Sequence, residues 1–236
     1  MKKKNLLLIL TAVTVVAAMA VGGTLAYFTS TDKADNTFTA GNVAIKLYEH
    51  EVVANTNEDT GLTTWNYALD THEAKIETQE NLYTGIYPGA VLPKDPTIKN
   101  TGSNPAYVRM KVTISHADAW VDKLGSGFDL TGIFGGFDGT KWTLAATPAV
   151  DQATNTITYI YNYDGILGAG DETGALFTTV TIPTFFDNAE MKAVGGNSRT
   201  FTLKITAEAI QSDGFYNNGQ PDEAAAFTAL NSQLVP

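Results

Sequence analysis

The 236-residue chain contains no cysteine. It therefore has no disulfide framework, thiolate metal site, cysteine nucleophile or lipid-modified cysteine anchor. Basic residues are scarce, with 15 Lys and Arg against 25 Asp and Glu and a formal charge of −10. That balance excludes the basic face of a nucleic-acid binder, and no nucleic-acid partner is expected. Charged residues of both signs reach only 17%, while apolar residues reach 44%, too many for a disordered chain. The chain also lacks a phosphate-binding glycine loop and a Gly-x-Ser-x-Gly elbow. Its length can bury a sizeable core as one larger domain or two small ones.

What is present begins with the N-terminus. Lys2, Lys3 and Lys4 precede an uncharged run from Leu6 to Val21. Gly22-Gly23-Thr24-Leu25-Ala26 follows, with small residues at Thr24 and Ala26. This is the layout of a secretory signal peptide, and cleavage is expected between Ala26 and Tyr27. Ala18-Met19-Ala20 offers a second recognition triplet. The alternative is an uncleaved anchor, although the 16-residue run is shorter than the ~20 residues a spanning helix needs. Contact with a membrane is expected only through the uncleaved signal. The mature chain Tyr27–Pro236 has 210 residues, and loss of the three lysines takes its charge to −13. The expected plan is a signal peptide over 1–26, an arm over 27–40 and a single β-sandwich domain over 41–236.

Five segments alternate with a period of two. They are Gly41–Glu49, Ala106–Ser115, Thr156–Tyr163, Leu176–Ile182 and Thr200–Ile210. Val108, Met110, Val112 and Ile114 share one face of the second, and Ile157, Tyr159, Tyr161 and Tyr163 share one face of the third. Gly, Asn, Asp and Pro clusters separate the runs. The predicted fold is all-β, an antiparallel β-sandwich with short peripheral helices at Ala117–Leu124, Phe186–Val194 and Pro221–Leu234. In the last of these Pro221 is placed at the first helical position. Glu51–Gln79 reads as a long loop or insertion with weak strands.

Candidate chemistry is thin. His50-Glu51 and His72-Glu73 open like a zinc-protease helix, but Ala54 and Ile76 stand where the second histidine belongs. His116 near Asp118 does not by itself make a site. Asp164, Asp171 and Glu172, and likewise Asp213, Asn217, Asn218 and Asp222, lack the twelve-residue calcium-loop spacing and read as turn residues. No catalytic residue, metal ligand or cofactor is assigned. Trp65 and Trp142 are candidate contacts for an adhesion module, or core residues.

Between the signal and the first strand lies Tyr27-Phe28-Thr29-Ser30-Thr31-Asp32-Lys33-Ala34-Asp35-Asn36-Thr37-Phe38-Thr39. It is Thr-rich, too polar to form a core, and anchored by Phe28 and Phe38. Such an arm can add as a strand to a neighbour's sheet. It can equally be an edge strand of its own domain or a frayed terminus.

Gly22-Gly23-Thr24-Leu25-Ala26-Tyr27-Phe28, followed by Phe38-Thr39-Ala40-Gly41, resembles the N-terminus of the TasA/camelysin family. Tyr87-Pro88-Gly89, Ile98-Lys99-Asn100-Thr101-Gly102 and the Ala207-Glu208-Ala209-Ile210-Gln211 strand are similar to later blocks of that family in the same order. The resemblance implies a jelly-roll sandwich, export through a SipW-type signal peptidase, and residence in the extracellular matrix or at the cell surface of a bacterium. It also implies a homopolymeric biofilm fibre built head-to-tail, with Tyr27–Thr39 as donor strand, Phe28 and Phe38 as pocket fillers, and an accessory anchoring subunit as a further partner. Two alternatives remain: a camelysin-like surface metalloprotease and a monomeric adhesion module.

Overall fold

Alternation over Ala106–Ser115 builds the longest strand, and the sandwich is arranged around it. The computed structural model describes residues 42–68, 75–76, 83, 86–125, 128–129, 132–184 and 202–233. All of them belong to the unit that runs from Gly41 to Pro236. The expected signal peptide with its Ala26–Tyr27 cleavage point, the donor arm Tyr27–Thr39, His72 and the expected helix at 186–194 lie outside the described residues.

The strands are β1 (Ile45–His50), β2 (Val52–Thr56), β3 (Thr63–Tyr67), β4 (Lys75–Ile76), β5 (Val91–Pro93), β6 (Thr97–Asn100), β7 (Ala106–Ser115), β8 (Phe134–Gly135), β9 (Trp142–Leu144), β10 (Ala149–Asp151), β11 (Thr156–Tyr163), β12 (Glu172–Ala175), β13 (Thr179–Thr181), β14 (Leu203–Gln211), β15 (Tyr216–Asn217) and β16 (Gln220–Pro221). Two helices are described, α1 (Ala117–Leu124) and α2 (Glu223–Gln233). One sheet runs β12-β6-β1-β4, and a second runs β10-β11-β7-β14 with β9 also on β11. A smaller sheet, β5-β13-β8, and the hairpins β2-β3 and β15-β16 complete the set. Every described pairing is antiparallel. The fold is an all-β antiparallel sandwich, as the alternation predicts.

The alternating rows of β7 and β11 form its centre. Val108, Met110, Val112, Ile114, Ile157 and Tyr159 are fully buried against Ile98, Leu176, Phe177, Val180 and Ile182. Trp65 and Trp142, at 5% and 1% exposure, belong to this core, so neither offers an adhesion surface. The opposite face of β7 departs from simple alternation, because Tyr107 and Arg109 are buried as well. Helix α2 folds back over them, packing Ala226, Phe227 and Leu230 against Tyr107 and Ile210. Burying Phe227 and Leu230 contributes about 2 kcal/mol each. Pro221 does not start this helix but pairs with Tyr216 in the β15-β16 hairpin. Asp222 makes the cap instead, its Oδ1 accepting the Ala225 N–H at 3.0 Å. Asn218-Gly219, at φ 52° and 78°, forms the two-residue turn of that hairpin, so Asn218 is a turn residue.

Candidate functional site

Two arrangements stand out: a backbone clamp where the chain enters β1, and a polar cluster where β1 ends.

The clamp is built by the Asn100–Asn104 loop. The N–H groups of Thr101 and Gly102 donate to the Ala44 carbonyl at 2.8 and 3.0 Å. Those of Ser103 and Asn104 donate to the Asn42 carbonyl at 3.1 and 3.2 Å. In return the Asn42 N–H donates to Ser103 Oγ at 3.0 Å. Asn100 organises the loop from a fully buried position. Its Nδ2 donates to the carbonyls of Asn104 and Leu167 at 2.9 and 3.1 Å, and its Oδ1 accepts the Gly102 N–H at 3.0 Å. A side chain at 102 would collide with the incoming strand, which is why the Asn-x-Gly pattern needs its glycine. Asn42 and Ala44 are therefore fixed to the Asn100–Asn104 loop by backbone hydrogen bonds.

Another of the sequence blocks is also explained locally. Tyr87-Pro88-Gly89-Ala90 closes a turn through the Ala90 N–H and Tyr87 carbonyl at 3.0 Å. Pro88 fits its second position, and Gly89 supplies the φ of 84° that a type II turn demands at its third.

At the far end of β1, consecutive residues Glu49 and His50 meet consecutive residues Lys94 and Asp95. Lys94 Nζ donates to both Glu49 oxygens at 2.7 and 2.8 Å. Asp95 accepts the His50 backbone N–H at 2.9 Å, and its second oxygen accepts from His50 Nδ1. The Glu49–Lys94 ion pair and the His50–Asp95 hydrogen bonds together tie the end of β1 to the Lys94-Asp95 segment. The Tyr67 ring lies 5.2 Å from the His50 ring, and its hydroxyl donates to the Thr178 carbonyl at 3.1 Å. The Tyr83 hydroxyl donates to the Pro93 carbonyl. Burial, reinforced by the Asp95 and Glu49 carboxylates, raises the Tyr67 phenol above its ordinary value. Burial followed by Glu49, Tyr67 and Asp95 does the same for Tyr83. Both phenols stay protonated and act as donors.

This cluster was invisible in the sequence because His50 and Asp95 are 45 positions apart. It makes His50 a clipped structural histidine and does not extend the His50-Glu51 pair toward a zinc helix. His116 and Asp118 do not pair through a side-chain hydrogen bond. His116 Nδ1 meets Ser115 Oγ at 3.0 Å, while Asp118 accepts from Asn155 at 2.8 Å. Among the described residues no three His, Asp or Glu side chains converge as a zinc site would require. The ligand set of a zinc peptidase is therefore not met there.

The model of the camelysin metallo-endopeptidase family matches residues 1–79. The chain is similar to that family over its N-terminal third, which includes the segments read above as signal and arm together with β1 and the β2-β3 hairpin. The TasA/camelysin resemblance read from the N-terminal residues agrees with this match. No curated protein and no solved structure matches the chain.

Proposed function

We propose that this protein is a secreted, non-enzymatic structural subunit of extracellular matrix fibres, polymerising head-to-tail when Tyr27–Thr39 of one copy inserts as a strand into the next. The observation that carries the reading is the clamp at Asn42. It fixes Asn42, three positions after the end of a thirteen-residue polar segment that cannot form a core of its own. A fixed root limits the conformational entropy that a docking donor segment loses. The partners are further copies of itself, a SipW-type signal peptidase that releases Tyr27, and an accessory subunit that anchors the fibre.

Imaging purified Tyr27–Pro236 beside a chain lacking residues 27–39 tests this. Filaments are expected from the first and folded monomers from the second; filaments from both would sink the reading. The competing protease reading rests on the name of the matching family. Chelator-sensitive cleavage of casein, with stoichiometric zinc, would establish it in place of ours.

A further inference from the structure

Two polar atoms near the start of α2, the Tyr107 hydroxyl and Asn162 Oδ1, are buried without a hydrogen-bond partner. Buried polar groups rarely stay unpaired. Both residues stand on the outer face of the central sheet. Asn162 of β11 lies opposite Arg109 of β7 on one side and Thr143 of β9 on the other. The same register, carried two residues on, brings Asp164 level with Tyr107. Thr143 Oγ1 donates to Asp164 Oδ2 at 3.1 Å, and the Asp164 N–H donates to the Lys141 carbonyl at 2.8 Å. The Asp164 carboxylate is thereby held at this corner of the sheet.

Glu223, the first residue of α2, completes the group. Its side chain is half-buried and takes a hydrogen bond from Asn162. Burial first, and the Asp164 charge second, raise its carboxyl above the ordinary glutamate range. Tyr107 is 1% exposed. Burial, followed by Tyr216, Glu223 and Asp222, pushes its phenol up as well, so its hydroxyl faces the head of α2. The basic side chains of this region are committed elsewhere. Arg109 bonds to Glu208 and Asn231, Lys111 to Glu208, and Lys141 lies 4.0 Å from Asp138.

We propose that Asn162 Oδ1, Asp164 and Glu223 form a calcium site, backed by the Tyr107 hydroxyl. The donors are all oxygens, two from carboxylates and one from an amide, which is the set a hard cation takes. Calcium suits donors brought from separate elements, because it accepts irregular geometry and completes its shell with water, whereas magnesium demands a near-ideal octahedron. The ion gives Asn162 Oδ1 its missing partner and removes the repulsion between Asp164 and Glu223. A water of its shell gives the Tyr107 hydroxyl an acceptor. The positive end of α2 opposes a cation with roughly half a unit charge, which the two carboxylates outweigh. Asp164 and Glu223 are 59 positions apart, so no calcium-loop spacing marks the site in the sequence. Its consequence is a fold tightened by extracellular calcium. The ion ties β11 to the helix that covers Tyr107 and Ile210. The site is independent of fibre assembly.

Titration of Tyr27–Pro236 with CaCl2, beside MgCl2 and NaCl at matched ionic strength, tests the assignment. Calcium should bind with an apparent Kd of about 0.1–1 mM and raise the thermal midpoint, as magnesium and sodium do not. Glu223→Gln and Asp164→Asn should each weaken binding about tenfold or more. Glu58→Gln, in the exposed turn between β2 and β3, should bind as the wild type does. Amide exchange on the unmodified chain locates the site even where a variant fails to fold. Calcium should slow exchange at the end of β11 and in the first turn of α2. No calcium-specific response up to about 10 mM would overturn the proposal. So would an equal response to magnesium, wild-type affinity in E223Q, or slowed exchange confined to other parts of the chain.

Discussion

Gly102 passes so close to Asn42 that a Cβ on it would stand 2.5 Å from the Asn42 carbonyl oxygen. The Ala44 nitrogen would be 2.6 Å away. Both neighbours are backbone, so neither can turn aside as a flexible side chain would. Gly102→Ala must push the entering strand outward. The expected cost is about 1–3 kcal/mol in urea unfolding, and the proposed fibre assembly predicts slower filament growth as well. Unchanged stability would mean that the clamp yields freely.

Helix α1 is capped from another element. Its preceding residue, His116, sits at φ 59° and provides no side-chain cap. Asn155, in the β10-β11 turn, supplies one: its Oδ1 accepts the Asp118 N–H at 3.0 Å and its carbonyl accepts the Ala117 N–H at 3.1 Å. Asn155 is itself left-handed at φ 51°. Asn155→Ala therefore removes a cap and strains a turn together, with an expected loss of about 2 kcal/mol. Asn155→Gly should cost less, because glycine accepts the backbone angle. Thermal midpoints of the two variants check the order.

Arg109 lies under α2 at 3% side-chain exposure, bonded through Nε to Glu208 at 2.6 Å and through a terminal nitrogen to Asn231 at 2.7 Å. Its guanidinium is 5.4 Å from the centre of the Phe227 ring. Glu208→Met leaves a buried cation short of its counter-charge and should cost about 3 kcal/mol. Adding Arg109→Met should recover much of that, since the cost comes mainly from the uncompensated charge. A double-mutant cycle in urea measures the difference, and purely additive losses would show that the pair is not coupled.

Acid should weaken the fold through its turn carboxylates. The Asn155 side-chain hydrogen bond holds Asp118 below the usual carboxylate range. Hydrogen bonds from Thr140 and Thr154 do the same for Asp138 and Asp151. A lowered folded value means stability that is complete above the unfolded value near 4 and is lost as pH falls through the folded one. Unfolding free energy should decline below pH ~4, and Asp118→Asn should flatten part of that decline. Urea titrations across the acid range would show it; an Asp118→Asn chain with the wild-type slope would remove Asp118 from the account.

The strands of the central sheet were legible because their chemistry is local. Ala106–Ser115 and Thr156–Tyr163 appear with the predicted bounds, since a half-buried strand writes its burial into every second residue. Leu176–Ile182 was less legible. Both Leu176 and Phe177 are buried there, and the strand shrinks to Thr179–Thr181. Pro221 is equally permissible in an edge hairpin and at a helix start, and only its pairing with Tyr216 decided between them.

Sequence alone determined the β class, the turn residues and a polar segment unfit for a core, because composition and period act over a few neighbouring positions. Tertiary structure decided which faces are covered. It buried Tyr107 and Arg109 under a helix more than a hundred residues away, joined His50 to Asp95, and set β14 beside β7 at the end of its sheet among the described strands. Each of these depends on chain segments distant in sequence meeting in space. Such meetings are selected by the burial and hydrogen-bond satisfaction of the whole sandwich, which no local pattern records.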